Sequence, residues 1–321
     1  MVVVFYYFFS FAPLQAQEVA EYPFQTMQND LDQGNYKIIL SHFSIFQDQC
    51  RKDGDNRNLH HYYGKLGQWK NHEALKKWTD ADGSSCVPWI AMANACITKG
   101  WEYRGTDQSD KVSQENWKIF FDYLDTARFY LEKAVSLNQA DPTPFILYLS
   151  LERNKCRAKY VMQDYLDKAL AISPNNYDAL RDMAMYYSPM WCGSEGEMWQ
   201  FIKTYVLPRP AGSPSRLIRV TYFEEIWKFH NRDRKISHDD KIWKCVAAEF
   251  SAYFKFHPDD LFMRSWFAFW AYNSGRYYVA KTQFDILGDH WDVNPNYWLT
   301  RENYFASKKE MDDFVATHPK K

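Results

Sequence analysis

The chain contains little glycine and little proline, and this scarcity excludes turn-rich folds. It has 12 Gly and 13 Pro in 321 residues, too few for a β-sandwich that turns every eight to twelve residues. It also lacks a run in which apolar and polar residues alternate with a period of two, the pattern of a half-buried strand. The sequence therefore predicts an all-α protein of long helices and short links.

An excess of charge of either sign is also lacking. Lys and Arg number 39 and Asp and Glu number 40, for a net charge of −1. Nucleic acid binding rests largely on the neutralisation of phosphates by a basic surface. We therefore expect no nucleic acid among the partners of this chain.

Long hydrophobic runs are absent except at the N-terminus, where Val2 to Leu14 are almost wholly apolar. Thirteen residues are too few to span a bilayer as a helix, so we expect no stable membrane insertion. The length fits the apolar core of a secretory signal with cleavage after Ala16, although no Lys or Arg precedes it. We predict residues 1–17 as a signal peptide and an exported, periplasmic or extracellular protein. The alternative is a buried N-terminal element in a cytoplasmic protein.

Motifs that hold cofactors or metals are missing as well. The sequence contains no phosphate-binding loop, no dinucleotide-binding glycine pattern and no nucleophile elbow. His72-Glu73 begins a zinc-protease motif, but Lys76 stands where the second histidine is needed. The pair Glu224-Glu225 is interpreted as a solvated helix face. We expect no cofactor, no metal and no catalytic residue.

The cysteines do not settle the compartment by themselves. None of the six forms a C-x-x-C pair, so the sequence predicts neither a zinc-ribbon site nor a thioredoxin-like redox site. The sequence does not decide whether these cysteines form disulfides or stay as buried free thiols. Cys192 could act as a nucleophile with a histidine beside it, but the sequence offers none nearby. The six are Cys50, Cys86, Cys96, Cys156, Cys192 and Cys245.

Aromatic residues are what the chain has in abundance. They make up 18% of it, including 13 Trp. Large rings suit the seams between helices, and they also line sugar-binding and peptide-binding grooves. Core packing is the favoured interpretation because most of these residues follow helical periods.

Helix signals are clearest in the middle of the chain. Ser113 is a good N-cap, and an apolar stripe runs from Trp117 to Ala134 at three- and four-residue steps. Ser237 and Asp240 form a capping-box pattern before another apolar-faced helix. Pro208 to Pro214 is the best linker candidate. We therefore predict central repeats over residues 18–207 and C-terminal repeats over 208–321, continuous with the central part.

An internal repeat supports a helical-repeat architecture. The segment LEKAV at 131–135 recurs thirty-five residues later as LDKAL at 166–170, close to the spacing of roughly 34 in tetratricopeptide repeats. Small residues in such repeats let paired helices approach, and a glycine turns the chain between them. The predicted repeat positions are Leu131, Ala134, Leu166, Ala169, Ala184, Tyr187, Ala268, Gly275, Tyr277, Ala280 and Phe284. The predicted fold is thus an α-α superhelix of tetratricopeptide-like hairpins.

Several segments in the middle of the chain form a recognisable set. They are Trp101 with Arg104-Gly105, Val112 to Pro142, Leu166 to Pro174, Tyr186-Tyr187, and Trp191-Cys192-Gly193-Ser194 with Gly196-Glu197. Through these segments the chain resembles a bacterial family of unknown function with a tetratricopeptide-like helical repeat domain. The resemblance covers roughly residues 60–290, most firmly 98–205, and it implies the fold without implying any chemistry.

These patterns predict a non-catalytic scaffold that binds a peptide or protein in its concave groove. The alternatives are an exported binder of glycan or another small ligand that uses Trp and Tyr stacking, or a hydrolase on a helical scaffold. Trp191 lies in an irregular loop, a common place for recognition. The expected groove residues are Asp178, Arg181, Met185, Trp191, Phe269, Tyr272 and Asn273.

Overall fold

The computed structural model describes residues 22–53, 57–105, 109–293, 295–298 and 300–319. Within these ranges every regular element is a helix and no strand occurs, so the all-α prediction is confirmed. The predicted signal peptide over 1–17 lies outside the described residues. None of the helices described is both long enough and apolar enough to cross a lipid bilayer.

The chain divides into two compact units, the first ending at Tyr186 and the second beginning at Tyr187. Short 3₁₀ turns precede α4, α6, α11 and α16. The helices of the first unit are α1 (Phe24–Gln33), α2 (Tyr36–Asp53), α3 (Arg57–Leu66), α4 (His72–Ala81), α5 (Val87–Arg104), α6 (Gln114–Leu137), α7 (Thr143–Arg153), α8 (Lys159–Ile172) and α9 (Tyr177–Tyr186). Those of the second are α10 (Glu195–Phe201), α11 (Ile218–Phe229), α12 (Arg234–Ser237), α13 (Asp240–Phe254), α14 (Leu261–Asn273), α15 (Tyr277–Leu287), α16 (Pro295–Trp298) and α17 (Arg301–Thr317).

The pairing of α5 with α6 is the most extensive contact of the first unit. Ala91, Ala93 and Ala95 of α5 are fully buried, as expected for small residues where helices approach closely. A Cβ added to Gly100 would stand 3.1 Å from the Tyr123 Cβ of α6, so this position has little room for a side chain. The side chain of Ser113 accepts a hydrogen bond from the backbone N–H of Asn116 at 3.1 Å, which confirms the predicted cap of α6.

A buried aspartate fixes the link between α6 and α7. Asp141 accepts hydrogen bonds from the Tyr63 hydroxyl and the Gln47 amide, both at 2.7 Å, and from the Thr143 backbone N–H at 2.9 Å. The carboxylate thus caps the start of α7 and joins it to α2 and α3. In sequence, Asp141 and Pro142 lie in the short segment between α6 and α7.

The first unit continues through α7, α8 and α9. Helix α7 packs against α5, α6, α8 and α9, and α8 packs against α9. The repeat positions Leu131, Ala134, Leu166, Ala169 and Ala184 are all fully buried in these contacts. The recurring segment therefore supplies equivalent core positions on α6 and α8.

The second unit contains the helix pair predicted near the C-terminus. Helix α14 packs against α15, and α15 packs against α17. Between α14 and α15, Gly275 adopts a φ of 69°, a conformation that glycine reaches without steric cost. Ala268, Ala280 and Phe284 are buried, whereas Tyr277 is partly exposed.

Two local expectations in this unit need revision. The predicted capping box of Ser237 and Asp240 is wrong, because Asp239 caps α13 by accepting from the backbone N–H groups of Lys241 and Ile242. The predicted linker over 208–214 lies inside the second unit. There the Arg216 guanidinium donates to the carbonyl of Leu207 at 2.8 Å.

Candidate functional site

A continuous row of aromatic rings crosses the surface of the first unit. We call it the aromatic strip, and it consists of Trp69, His72, Trp89, Tyr103, Tyr123, Phe129 and Tyr130. All seven rings lie within the described residues of one unit.

Three pieces of local structure place six of these rings on one surface, and Phe129 adjoins them through its contact with Tyr130. Trp69 lies on the 3₁₀ turn before α4, and His72 is the first residue of α4. Tyr123 and Tyr130 are seven residues apart on α6, close to two full turns, so they share one helix face. Trp89 and Tyr103 are fourteen residues apart on α5, close to four turns. The close packing of α5 on α6 then brings the two rows of rings together.

The rings of the strip touch one another in sequence. Tyr103 stacks on Tyr123 with centroids 5.8 Å apart, and Tyr123 meets Trp69 edge to face at 5.6 Å. Trp69 stacks on His72 at 4.8 Å, and His72 lies 6.3 Å from Tyr130. These separations lie in the range that aromatic pairs favour. Each ring is therefore held in place by its neighbours.

The far end of the strip branches at Tyr130. The Phe129 ring lies 5.7 Å from Tyr130, and the Trp89 ring lies 5.9 Å from it. Three rings of the strip are among the most exposed large side chains of the chain: Trp69 is 37% exposed, Tyr103 40% and Phe129 50%. Contiguous exposed apolar surface of this kind is typical of binding sites.

Charges around the strip are balanced. The Lys99 ammonium lies 2.6 Å from a Glu102 carboxylate oxygen and 5.6 Å from the centroid of the Tyr103 ring. The hydrogen bond to Glu102 raises the pKa of Lys99. Lys133 lies 5.8 Å over Phe129, and Glu73 lies 3.9 Å from the His72 ring. Two cations and two anions therefore flank the rings.

Hydroxyl and imidazole groups supply polar contacts along the strip. Burial raises the pKa of Tyr123 and that of Tyr130, so both hydroxyls keep their protons at neutral pH and can donate as well as accept. The Tyr130 hydroxyl is 3.5 Å from Nε2 of His72. The strip thus joins flat apolar faces with groups that form hydrogen bonds in both directions.

The groove residues predicted on α9 are less accessible than expected. Asp178 is buried, 3.4 Å from Nδ1 of His60, so its expected exposure to a groove is wrong. The helix packing around α9 covers this carboxylate, which sequence spacing alone could not show. Arg181 and Met185 are partly exposed on the same helix.

The groove residues predicted on α14 are partly exposed and have intramolecular partners. The Tyr272 hydroxyl donates to Glu310 of α17 at 2.7 Å, and the Asn273 amide donates to the Phe269 carbonyl at 2.8 Å. The Phe269 ring packs 4.8 Å from Tyr297 and 5.8 Å from Trp298.

The Trp191 loop is organised by Ser188, which is buried. The Ser188 carbonyl accepts from the backbone N–H groups of Trp191 at 2.9 Å and Gly193 at 3.2 Å. Trp191 itself is partly exposed. Cys192 is disulfide-bonded, as is Cys156, so Cys192 has no thiol to serve as the nucleophile considered from the sequence.

The second unit contains a buried cluster of charges that the sequence did not predict. Glu224 and Glu225 are each 4% exposed, so their interpretation as a solvated face is wrong. Lys228 lies 2.8 Å from Oε1 of Glu224 and 3.2 Å from Oε1 of Glu225. Burial lowers the pKa of Lys228, but the two carboxylates outweigh that effect and raise it overall.

The remaining carboxylate oxygens of this cluster are also occupied. Oε2 of Glu224 accepts from the Trp266 indole at 2.9 Å and from the Tyr297 hydroxyl at 3.3 Å. Oε2 of Glu225 accepts from the Ser188 hydroxyl at 3.1 Å. Each carboxylate oxygen thus has a hydrogen-bond or ionic partner, which is the arrangement of a structural cluster rather than of an acid–base pair.

No group of three or more His, Cys, Asp or Glu side chains in the described part of the chain is placed to hold a metal ion. The described cysteines other than Cys156 and Cys192 are free thiols. Burial raises the pKa of Cys86 and that of Cys96 to about 12, which makes these two thiols poor nucleophiles.

Comparison with known proteins identifies one similar family. Residues 127–209 match the family model of a domain of unknown function, DUF4034. No curated protein and no solved structure matches the chain. The match runs from the second half of α6 to the segment after α10, so it includes Phe129 and Tyr130 of the aromatic strip and the whole Trp191 loop. It supports the resemblance over this part of the chain and carries no chemistry.

Proposed function

We propose that this chain is a non-catalytic binding protein whose ligand stacks on the aromatic strip. The observation that carries the proposal is the exposure of Trp69, Tyr103 and Phe129 within one connected row of rings. Isolated surface aromatics are ordinary. A connected row of them on two packed helices is costly to leave in water unless it is covered by a ligand.

The strip is preorganised for binding. Its rings lie on α4, α5, α6 and the turn before α4, which form the core of the first unit. Gly100 lets α5 approach α6 closely, so the two rows of rings cannot separate without opening that core. Side chains that are already ordered lose little conformational entropy when a ligand arrives.

A peptide or protein partner in a repeat groove is the second candidate. Its support is the packing order of the first unit, in which α7 contacts α6, α8 and α9 while the repeat positions of α6, α8 and α9 are buried. From this order we infer a tetratricopeptide-like arrangement of α5 to α9, with α14 and α15 as a further pair. Solenoids of such pairs present extended surfaces for partners.

For both candidate functions we infer export to an oxidising compartment. The N-terminal apolar run has the length of a signal-peptide core. Cys156 and Cys192 are disulfide-bonded, and disulfides persist mainly in secreted and periplasmic proteins. Edman sequencing of protein from the extracellular or periplasmic fraction should begin near Gln17. Recovery there of a chain that still begins at Met1 would contradict signal-peptide cleavage, and absence of the protein from these fractions would contradict export.

The strip can be tested with a double variant, Trp69→Ala with Tyr103→Ala. The purified chain is immobilised, and separate protein and polysaccharide fractions of the native cell envelope are passed over it. Tyr160→Ala is the matched control, because Tyr160 is 78% exposed in the same unit and lies outside the strip. We expect the double variant to lose a component that the wild type and the control both retain.

Two results would overturn the proposal. One is retention by the double variant of everything that the wild type retains. The other is equal loss in the Tyr160→Ala control. Circular dichroism and thermal melting of each variant establish that the fold is intact, as expected for replacements at partly exposed positions.

The groove candidate has its own variant pair within the first unit, Arg181→Glu with Met185→Ala, because both residues are partly exposed on α9. If the groove binds the partner, these changes should abolish capture of a protein component while the strip variants leave that capture intact. Unchanged capture by this pair would remove the groove assignment.

A further inference from the structure

We infer that the ligand of the aromatic strip is an uncharged polysaccharide that stacks on Trp69 and Tyr103 at one end and on Phe129 at the other. This inference rests on the proposed function and names its ligand class. Three features of the strip carry it: its charge balance, its lack of free backbone groups and its length.

The charge balance argues against a polyanion. Lys99 is paired with Glu102 at 2.6 Å, and the charge of Lys133 beside Phe129 is offset by that of Glu73 beside His72. Single-stranded nucleic acids also stack on aromatic rings, but their sites add a basic groove that follows the phosphates. The strip has no such excess of cations, so a ligand without formal charge fits it better.

The backbone around the strip argues against an extended peptide. Tyr123, Phe129 and Tyr130 stand in the middle of α6, where the backbone N–H and C=O groups are used within the helix. A strand-like peptide needs free main-chain partners along its length, as it finds at a sheet edge. What the strip offers instead is flat ring faces with the hydroxyls of Tyr103, Tyr123 and Tyr130 and the imidazole of His72 around them.

Sugars match this combination of groups. A pyranose ring has an apolar C–H face that stacks on an aromatic ring, and its rim of hydroxyls both donates and accepts hydrogen bonds. Tyrosine hydroxyls that keep their protons do the same. Aromatic faces with a few polar groups are the usual composition of small-ligand sites in general.

The length of the strip indicates a polymer rather than a single sugar. Tyr123 and Tyr130 share one face of α6 and are seven residues apart, which corresponds to roughly 10 Å along the helix axis. The exposed rings Trp69 and Tyr103 lie around Tyr123, and Phe129 lies beyond Tyr130. A ligand that covers both ends needs at least two linked rings.

The test is isothermal titration of the full chain with defined polymers. The neutral probes are soluble starch, xylan and hydroxyethyl cellulose, and the competing classes are represented by heparin, poly(dT) and a proline-rich peptide. We expect one neutral polysaccharide to bind, and Trp69→Ala or Phe129→Ala to weaken that binding about tenfold each, as loss of one stacking ring should. Trp69→Phe should restore part of the affinity, and Tyr160→Ala should bind as the wild type does.

The outcomes separate this inference from the function on which it rests. No binding of any neutral polysaccharide, or equal binding by Trp69→Ala, overturns the inference. Binding of the proline-rich peptide, heparin or poly(dT) that Trp69→Ala abolishes also overturns the inference but leaves the strip as the binding site. Only the envelope-fraction experiment overturns the proposed function itself, through unchanged retention in the double strip variant or equal loss in the Tyr160→Ala control.

Discussion

Gly193 lies directly against the backbone of Tyr187: a Cβ added to Gly193 would stand 2.4 Å from the Tyr187 carbonyl oxygen. The same Cβ would be 2.7 Å from two further backbone atoms of Tyr187. Real Cβ atoms do not approach backbone this closely, so the turn that returns the chain from Trp191 toward α10 requires a residue without a side chain. Gly193 belongs to the segment matched by the family of unknown function.

Gly193→Ala should therefore destabilise the protein. The clash is with backbone, which cannot rotate away, so we expect a loss of about 1–3 kcal/mol in the free energy of unfolding. Gly196→Ala is the matched control, because a Cβ there meets nothing within 4 Å and alanine is favoured in a helix. Urea unfolding measures both variants, and equal stability of the two would contradict the required contact.

Lys228→Met should be among the most destabilising single changes in the second unit. It leaves Glu224 and Glu225 buried without their shared cation, and breaking a buried ion pair in this way costs about 3–5 kcal/mol. Lys309→Met is the matched control: Lys309 forms an exposed i,i+4 pair with Asp313, so its loss should cost about 0.5 kcal/mol or less.

The same cluster predicts a rescue. The triple variant Glu224→Gln, Glu225→Gln and Lys228→Met removes all three charges and keeps an acceptor for the Trp266 indole. It should recover most of the stability lost in Lys228→Met alone, because no unpaired charge remains. Chemical denaturation of the three proteins checks this, and a triple variant less stable than Lys228→Met would contradict a charge-based cause.

Acid should destabilise the fold partly through His61. Burial, followed by the nearby charges of Lys65 and His60, lowers the pKa of His61 from 6.5 to about 4. Between these two values the unfolded state binds a proton that the folded state does not, so stability falls as the pH falls from 6.5 to about 4. The shift sets a ceiling of about 3 kcal/mol, and the partial exposure of the ring reduces the expected effect to roughly 1 kcal/mol.

His61→Gln should flatten this slope, and thermal melting at several pH values between 4 and 7 measures it. His290→Gln is the control because His290 is exposed in the second unit. Identical slopes in the wild type and His61→Gln would show that another group carries the acid sensitivity, for example His42, whose pKa burial also lowers.

The elements that sequence predicted well are those governed by local rules. The stripe on α6 and its cap at Ser113 follow from helical periodicity and from a side chain three residues away. The recurrence of LEKAV and LDKAL marks positions that are buried on α6 and α8. The capping box predicted at Ser237 and Asp240 was wrong because it depended on the exact start of α13, whose cap is Asp239.

The aromatic strip and the buried charges were not predicted because both depend on which helices pack together. The seven-residue spacing of Tyr123 and Tyr130 is visible in the sequence, but it indicates a shared face of α6 without saying whether that face is core or surface. Only the approach of α5 and the turn at Trp69 makes it a surface row. Likewise, buried Glu224 accepts a hydrogen bond from the indole of Trp266, forty-two residues later. Sequence spacing does not reveal a contact over that separation.

The free thiols should differ sharply in reactivity. Cys50, Cys86 and Cys96 are buried, and with a pKa of about 12 only roughly one in ten thousand of the Cys86 and Cys96 thiols is ionised at pH 8. Cys245 is partly exposed, so an alkylating reagent can reach its sulfur, and the Arg219 guanidinium lies 3.1 Å from that sulfur. Iodoacetamide at pH 8 should therefore modify Cys245 in the folded protein and the three buried thiols only after unfolding in urea. Cys156 and Cys192 should react only after reduction. Peptide mass spectrometry over a time course measures alkylation at each site. If Cys86 or Cys96 in the folded protein were alkylated as fast as Cys245, the helices that bury them would open far more readily than their packing implies.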